Sequence, residues 1–225
     1  MGRNLMAGLA LLTVISVLYI LMGFTTEVWE EEEFGARADD THWRLSMATG
    51  TSALVFLSAA LLVGPIRQLR GRPTPAHIPW RRSIGVSAAV AVLIHVSFGI
   101  TIHADGWRVW VPFTHVWRSS GSLFVLGAAF WIGLLAALLM SVLAIISNSR
   151  ALRGFGVRRW KNVQRLTYLV YPLIFVHILG VQRQEQRVLG HAILPLLLMG
   201  LVFSLQLFGF ISTRRAVAAP HPSKT

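Results

Sequence analysis

The sequence predicts an all-α integral membrane protein, a six-transmembrane-helix bundle with both termini on the cytoplasmic side. Three observations lead to this fold class: an apolar composition, six long apolar segments, and an uneven distribution of charge between the connecting stretches. Of the 225 residues, 54% are hydrophobic and 13% are charged. Soluble domains contain about 25% charged residues, so this composition indicates a protein that exposes much of its surface to lipid.

Six segments are long and apolar enough to cross a bilayer as helices, which takes about 20 residues for roughly 30 Å of hydrocarbon. The first segment follows Arg3 and could instead be a secretory signal. It lacks an A-x-A-like cleavage site and is long for a signal, which favours a membrane anchor. We expect residues 1–225 to form a single transmembrane domain. The predicted spans are 5–24, 45–63, 84–102, 123–146, 163–181 and 193–211.

The charges between the spans predict the orientation. All nine acidic residues lie in alternate loops, at positions 27–40, at Asp105 and at Glu185. Fifteen of the 21 basic residues lie near the N-terminus or in the complementary stretches 67–82, 150–165 and 214–224, which we treat as loops or tail. Short loops rich in Lys and Arg stay in the cytoplasm. We therefore expect a multi-pass protein of the plasma (inner) membrane, with cytoplasmic termini and external acidic loops.

The composition also excludes several classes of function. The net charge of +12 comes from residues that flank the spans, so it predicts contacts with anionic lipid rather than with nucleic acid. Because the chain has no cysteine, it has no disulfide, thiolate zinc site, iron–sulfur cluster or C-x-x-C-H attachment. Gly154 and Gly156 begin a G-x-G-x-x-G pattern that Arg159 breaks, and we expect no nucleotide-binding domain in this chain.

Two of the eight histidines lie deep in predicted spans, His95 in 84–102 and His177 in 163–181. Each follows the inner edge of its helix, taken at Ile84 and at Leu166, by about three helical turns. At about 1.5 Å per residue, both imidazoles should lie roughly 17 Å from that edge. An ionisable side chain at such depth normally faces the bundle interior and marks a functional site. Two parallel helices should therefore present imidazoles at one level.

Two interpretations of this pair remain open at this point. Each histidine could simply hydrogen-bond a neighbouring helix, or the pair could ligate a haem iron from both sides, which requires matched depth. The small residues Ala88, Ala91 and Gly99 lie on the same helix face as His95. They would leave space for a flat macrocycle, and they would equally allow close helix packing.

The segments around both histidines resemble ferric reductase-like transmembrane proteins. Arg-Arg-Ser-Ile-Gly at 81–85, followed by Leu-Ile-His at 93–95, is similar to the third helix of that family. The stretch 159–169, which leads to His177, is similar to the fifth. The pattern is also similar to the haem-binding membrane subunit of periplasmic methionine sulfoxide reductase systems. The resemblance covers residues 81–181 and implies a b-type cytochrome domain, with His95 and His177 as axial ligands, that passes electrons through the membrane.

The departures from the family pattern bear on the number of haems. Many members carry a second histidine on each helix, about four helical turns from the first, and so hold two haems. Here Arg82 and Gln164 stand at the corresponding positions before His95 and His177, and neither is a credible ligand. We therefore expect one haem b per chain. Because we expect no nucleotide-binding domain in this chain, we expect a separate electron donor, either a quinol or a flavoprotein. The resemblance further implies an external acceptor protein and a flavin as an additional cofactor.

The remaining candidate residues lie mainly near the outer face. Arg108 and Arg118 are candidates for haem propionate contacts, although their aromatic surroundings also suit a headgroup-level belt. His103 lies about 80° around the helix from His95 and roughly 12 Å higher, so we do not expect it to be a ligand. Met47 and Met140 rank below the histidines as ligands. The other members of the outer cluster are Trp107, Trp110, His115, Trp117 and His191, whereas His42, His77 and His221 fall in predicted loops or the tail.

Two other functions remain as alternatives. The chain could be a stand-alone ferric-chelate reductase that acts at its outer rim, which reoxidation by soluble ferric chelate without a partner would indicate. It could also be a non-redox structural or transport subunit of a membrane complex, which colourless purified protein would favour. Transporters usually show inverted repeats and broken helices, and the sequence shows neither clearly.

Overall fold

A computed structural model describes residues 41–71, 79–103, 122–184 and 189–218, and within them all regular structure is helical. This confirms the all-α class for the described part of the chain. The predicted span 5–24 and all nine acidic residues lie outside it. The helices are α1 (Thr41–Leu69), α2 (Pro79–His103), α3 (Ser122–Ile145), α4 (Ser149–Gln164), α5 (Thr167–Gln184) and α6 (Leu189–Ala218).

Five segments of the described chain are long and apolar enough to cross a membrane, so the protein is a multi-pass membrane protein. Each contains most or all of one predicted span, which confirms five of the six. Three points stay predictions: the remaining span at 5–24, the location of the termini and the extent of the single domain. The five segments are Thr41–Leu69, Trp80–Thr101, Gly127–Ile145, Ser149–Gln182 and Ile193–Ser212.

Helix α1 is the most buried of the described membrane-spanning helices. It packs against α2 on one side and α6 on another, while α3 packs against α5 and, less extensively, against α2. The buried face of α1 carries small and hydroxyl residues such as Ala48, Ser52 and Ser58. Between membrane helices, small side chains let two backbones approach closely, because lipid offers no hydrophobic drive for association.

Polar side chains inside the bundle satisfy helix carbonyls that would otherwise face an apolar environment. Pro65 lies inside α1 and has no N–H, so the carbonyl of Leu61 lacks its usual helical donor. Gln206 of α6 supplies one, with its Nε2 2.8 Å from that oxygen. Nearly one helical turn beyond Pro65, Gln68 donates to the carbonyl of Gly209 at 2.9 Å. These two bonds join α1 to α6 where hydrocarbon offers no water as a partner.

A buried tyrosine connects three helices. The hydroxyl oxygens of Tyr171 in α5 and Ser58 in α1 are 2.8 Å apart, and both residues are fully buried. The Tyr171 hydroxyl also lies 3.4 Å from the carbonyl of Leu198 in α6, to which it donates. Ser58 is then the donor of the shorter bond, since Tyr171 has only one proton to give. The network fixes α5 against α1 and α6.

The basic stretch 150–165 was expected to be a loop, and that expectation is wrong: most of it forms α4. Asn148 caps the helix, its side-chain oxygen accepting from the backbone N–H of Ala151 at 2.7 Å. Gly156 interrupts the helix with a φ of 71°. Only Trp160 is buried, and its indole N–H donates to the carbonyl of Ile146 at 3.1 Å. With its arginines exposed, α4 has the character of an interfacial helix.

Candidate functional site

His95 of α2 and His177 of α5 lie next to each other inside the bundle. Their ring centroids are 6.2 Å apart and their ring planes are inclined by 79°. This confirms the expectation that the two helices present imidazoles at one level. Both rings line a cavity of about 140 Å³, hereafter the histidine cavity, whose walls come from α1, α2, α3, α5 and α6.

A backbone carbonyl of α1 fixes the ring of His95. Its Nδ1 is 2.8 Å from the carbonyl oxygen of Ser46 and 3.1 Å from the hydroxyl of the same residue. A carbonyl oxygen can only accept, so Nδ1 carries the proton and donates it. In a neutral imidazole, the other nitrogen, Nε2, then carries the lone pair that a metal requires.

A carbonyl of α3 fixes the ring of His177 in the same way. Its Nδ1 is 2.8 Å from the carbonyl oxygen of Ala129, so the proton is again on Nδ1. In each case the acceptor lies on an earlier helix, 49 residues before His95 and 48 residues before His177. The same type of hydrogen bond, from an imidazole Nδ1 to a helix carbonyl, thus occurs in two helix pairs, α1 with α2 and α3 with α5.

Each imidazole lies directly over a glycine of the helix whose carbonyl accepts its hydrogen bond. A Cβ built on Gly50 would be 2.9 Å from Nδ1 of His95, and a Cβ on Gly133 would be 2.5 Å from Nδ1 of His177. Any larger residue would displace the ring, because the ring is also hydrogen-bonded to the same helix. Each of these glycines follows the residue that supplies the carbonyl by four positions, or about one helical turn.

The walls of the histidine cavity are mainly apolar, with Leu54, Val92, Phe130 and Ile174 among them. The described residues form no cluster of three or more His, Cys, Asp or Glu side chains. A metal at this point would therefore draw protein ligands from the two imidazoles, and its remaining positions would suit a flat apolar chelate. The arrangement matches axial ligation of a macrocycle better than a closed all-protein metal site.

The small residues predicted beside His95 divide into two groups. Gly99 lines the histidine cavity and so contributes space there. Ala88 and Ala91 are fully buried in the packed core, where they allow close contact between helices. Both alanines therefore serve close helix packing and do not make space for a macrocycle.

The other predicted residues fall in three groups. Met47 and Met140 line the histidine cavity. His42 lies in α1 rather than in the expected loop, and its exposed ring is 5.7 Å from that of Phe98. Arg108 and Arg118 lie outside the described residues, as do the side chains of His103 and His191 and the rest of the predicted outer cluster.

Arg82 and Gln164, which occupy the positions of a second histidine pair, line one further cavity of about 280 Å³. Gln164 is held there by its amide nitrogen, 3.3 Å from the hydroxyl of Ser147. No histidine is found among the described residues that line this cavity. The positions do converge in space, but without imidazoles.

Sequence reasoning missed the four residues that support the imidazoles. A signal for them exists, since α1 and α3 each carry a small residue followed by glycine four positions later. The pairs are Ser46 with Gly50 and Ala129 with Gly133. This spacing is common at helix contacts, however, and nothing local connects it to a histidine on another helix much later in the chain.

These observations define the class of protein: a helical membrane bundle with a pair of imidazoles fixed between its helices. The family model for the ferric reductase like transmembrane component matches residues 49–175, more than half of the chain. The protein therefore belongs to this family. The matched segment begins just before Gly50 and ends just before His177.

Three relatives share the name protein-methionine-sulfoxide reductase heme-binding subunit MsrQ. The protein of Azospira oryzae is 26% identical over 97% of this chain and 83% of its own length. That of Rhodospirillum rubrum is 27% identical over 76% of each chain. That of Brucella anthropi is 29% identical over 58% of this chain and 53% of its own length.

The glycine contacts predict a graded effect on stability. Gly133→Ala should lower the free energy of unfolding in detergent by about 1–3 kcal/mol, because the new methyl group overlaps an imidazole that cannot retreat without losing its hydrogen bond. Gly50→Ala should cost less, since its Cβ would be farther from the ring. Gly200→Ala in α6 is the matched control: a Cβ there meets nothing within 4 Å, so it should be neutral or stabilising. Equal effects at all three positions would contradict the close contact between the imidazoles and the glycines.

Proposed function

We propose that this protein is a membrane electron-transfer subunit that binds haem b, with His95 and His177 as the two axial ligands. The observation that carries the proposal is the pair of Nδ1 hydrogen bonds to Ser46 and Ala129, which leaves both Nε2 atoms with lone pairs. Such bonds to a second group are the usual means of orienting metal-bound histidine.

The separation of the two rings supports this ligation. A metal held between two imidazoles would lie about 2 Å from each ligating nitrogen, and a ring nitrogen lies about 1 Å from the ring centre, so the two centroids would be about 6 Å apart. The observed centroid separation is 6.2 Å. The names of the relatives, which describe heme-binding subunits, support the same cofactor.

The chain's own residues would prepare the site before any cofactor enters. Ser46 and Ala129 hold the Nδ1 protons, so that the imidazoles need not reorient on binding. Apolar walls such as Leu54 and Phe130 exclude water from the ligand. When bound, haem supplies a one-electron carrier at this depth of the membrane.

We propose one haem per chain. The second cavity, at Arg82 and Gln164, offers no histidine among its described lining residues, which supports this number. The described residues carry no assigned contact for a flavin, so that cofactor rests on the family resemblance alone. Arg108 and Arg118 keep their role as candidate propionate contacts.

Substituting the ligands tests the proposal directly. Purified wild-type protein should show a low-spin haem b spectrum, and acid solvent should extract the pigment, because no cysteine can tether it. His95→Ala or His177→Ala should abolish that signal or convert it to high spin, since removing one imidazole opens an axial position. His42→Ala and His103→Ala are controls that should retain it. Two haems per chain, or an unchanged spectrum in His177→Ala, would refute the assignment.

The hydroxyl contact at His95 predicts a shift in midpoint potential. The hydroxyl of Ser46 offers His95 a second acceptor, whereas Ala129 has no hydroxyl to offer His177. Acceptors at Nδ1 make an imidazole a stronger donor and favour the oxidised iron. Ser46→Ala should therefore raise the potential by about 20–40 mV, the equivalent of part of one hydrogen bond. Ala129→Ser should lower it. Equilibrium redox titration measures the midpoint potential of both variants. Shifts of the same sign would contradict the proposed effect of a hydroxyl acceptor at Nδ1.

We propose that electrons enter from a separate donor, a quinol or a flavoprotein, and leave to an external acceptor protein. The protein would lie in the inner membrane with its termini in the cytoplasm. The names of the relatives, which describe subunits of a reductase, support a protein partner. The alternatives, a stand-alone ferric-chelate reductase and a non-redox subunit, have no described residue that favours them.

Crosslinking in native membranes tests the acceptor. A photocrosslinker at Glu31 or Trp110 should capture a protein on the external side, while one at Arg158 in α4 should not capture that protein. Rapid reoxidation of the reduced protein by soluble ferric chelate, with no partner captured, would instead favour the stand-alone reductase.

Reporter fusions test the orientation of the chain in the membrane. Fusions after Arg72, Arg158 and Arg215 should report the cytoplasm, and fusions near Glu32, Asp105 and Glu185 should report the outside.

A further inference from the structure

The second cavity of the bundle has a cationic wall. It lies at the end of the bundle where α4 packs, and we refer to it as the α4-end cavity. Arg81 and Arg82 contribute from the start of α2, and Lys161 and Arg165 from the end of α4 and its C-cap. All the charged side chains in the described lining are therefore cationic.

Part of the wall of the α4-end cavity is apolar. It is formed by Leu57 and Leu61 of α1 and by Met140 and Leu143 of α3, and all four are buried. A cavity lined by both cations and hydrocarbon suits an amphiphile with an anionic head. Basic pockets between membrane helices are known sites for the phosphate groups of lipids.

The side chain of Arg81 is fixed in a way that suits such a ligand. Its Nε donates to the carbonyl of Ala60 at 2.9 Å, which anchors the guanidinium against α1. The two terminal nitrogens of a guanidinium form an edge that can bind phosphate oxygens in a bidentate manner. Trp160, held by its bond to Ile146, adds a rigid aromatic wall beside the cations.

We infer that the α4-end cavity binds the phosphate head group of an anionic phospholipid, with its acyl chains against the apolar wall. The site is distinct from the histidine cavity, although Met140 lines both. It does not depend on haem, and its test uses no haem signal. Its failure would therefore leave the proposed function intact.

Native mass spectrometry of the full chain, released from nanodiscs of mixed phosphatidylglycerol and phosphatidylcholine, tests the inference. The wild type should retain one phosphatidylglycerol in preference to phosphatidylcholine. Lys161→Gln with Arg165→Gln should weaken that retention about tenfold to thirtyfold, the effect of removing two charges near a phosphate. Both side chains are exposed enough for the double variant to fold.

The same helix offers a matched control. Arg153→Gln with Arg158→Gln removes two exposed charges of α4 that do not line the cavity, and it should change retention less than twofold. The exchange Lys161→Arg with Arg165→Lys, which conserves charge, should retain the lipid. Equal loss in both neutralised double variants would show diffuse surface attraction and overturn the site.

Two further outcomes would overturn the lipid assignment. If phosphatidylcholine is retained as well as phosphatidylglycerol, the cavity does not select an anionic head. If millimolar inorganic phosphate displaces the lipid completely in wild type, the site belongs to a soluble phosphate-bearing ligand. Retention of phosphatidylglycerol in the presence of that phosphate supports the lipid.

Discussion

The hydrogen bond from each imidazole Nδ1 to a helix carbonyl is the interaction on which the site depends. In hydrocarbon, a histidine side chain without such a bond would be costly, and its ring would have no fixed tautomer. Ser46 and Ala129 remove both problems at once for His95 and His177. The same bonds join α1 to α2 and α3 to α5, which are the most extensively packed helix pairs of the bundle. Ligand orientation and helix assembly therefore share one set of contacts.

Other polar groups in the bundle follow the same rule, that each must find its partner on a neighbouring helix. The bond from Gln206 to the carbonyl of Leu61 compensates for the donor that Pro65 lacks. Tyr171 connects α5 to α1 and α6 through its hydroxyl. These contacts lie on the helices that enclose the histidine cavity, so they make its walls rigid. A cofactor held by two side chains from different helices requires such rigidity, because relative movement of α2 and α5 would change the ligand separation.

The two cavities divide the bundle into regions of different chemistry. The histidine cavity lies between apolar walls, where a low dielectric environment and exclusion of water suit a redox centre. The α4-end cavity carries four cations and borders the basic helix α4. Met140 is the buried side chain that contributes to both. The proposed site for electron transfer and the proposed site for an anionic lipid are thus separated by about one side chain.

The sequence by itself determined the helical membrane class, the five described spans, and the matched depth of His95 and His177, because hydropathy and the rise of a helix along its axis are local properties. It could not show that α4 is a helix, since exposed arginines carry little apolar periodicity and the Asn148 cap is a weak signal alone. Only the tertiary structure decided which carbonyls accept the imidazole protons and why Gly50 and Gly133 are glycines. Those contacts join residues that are distant along the chain, and they exist only once the helices pack.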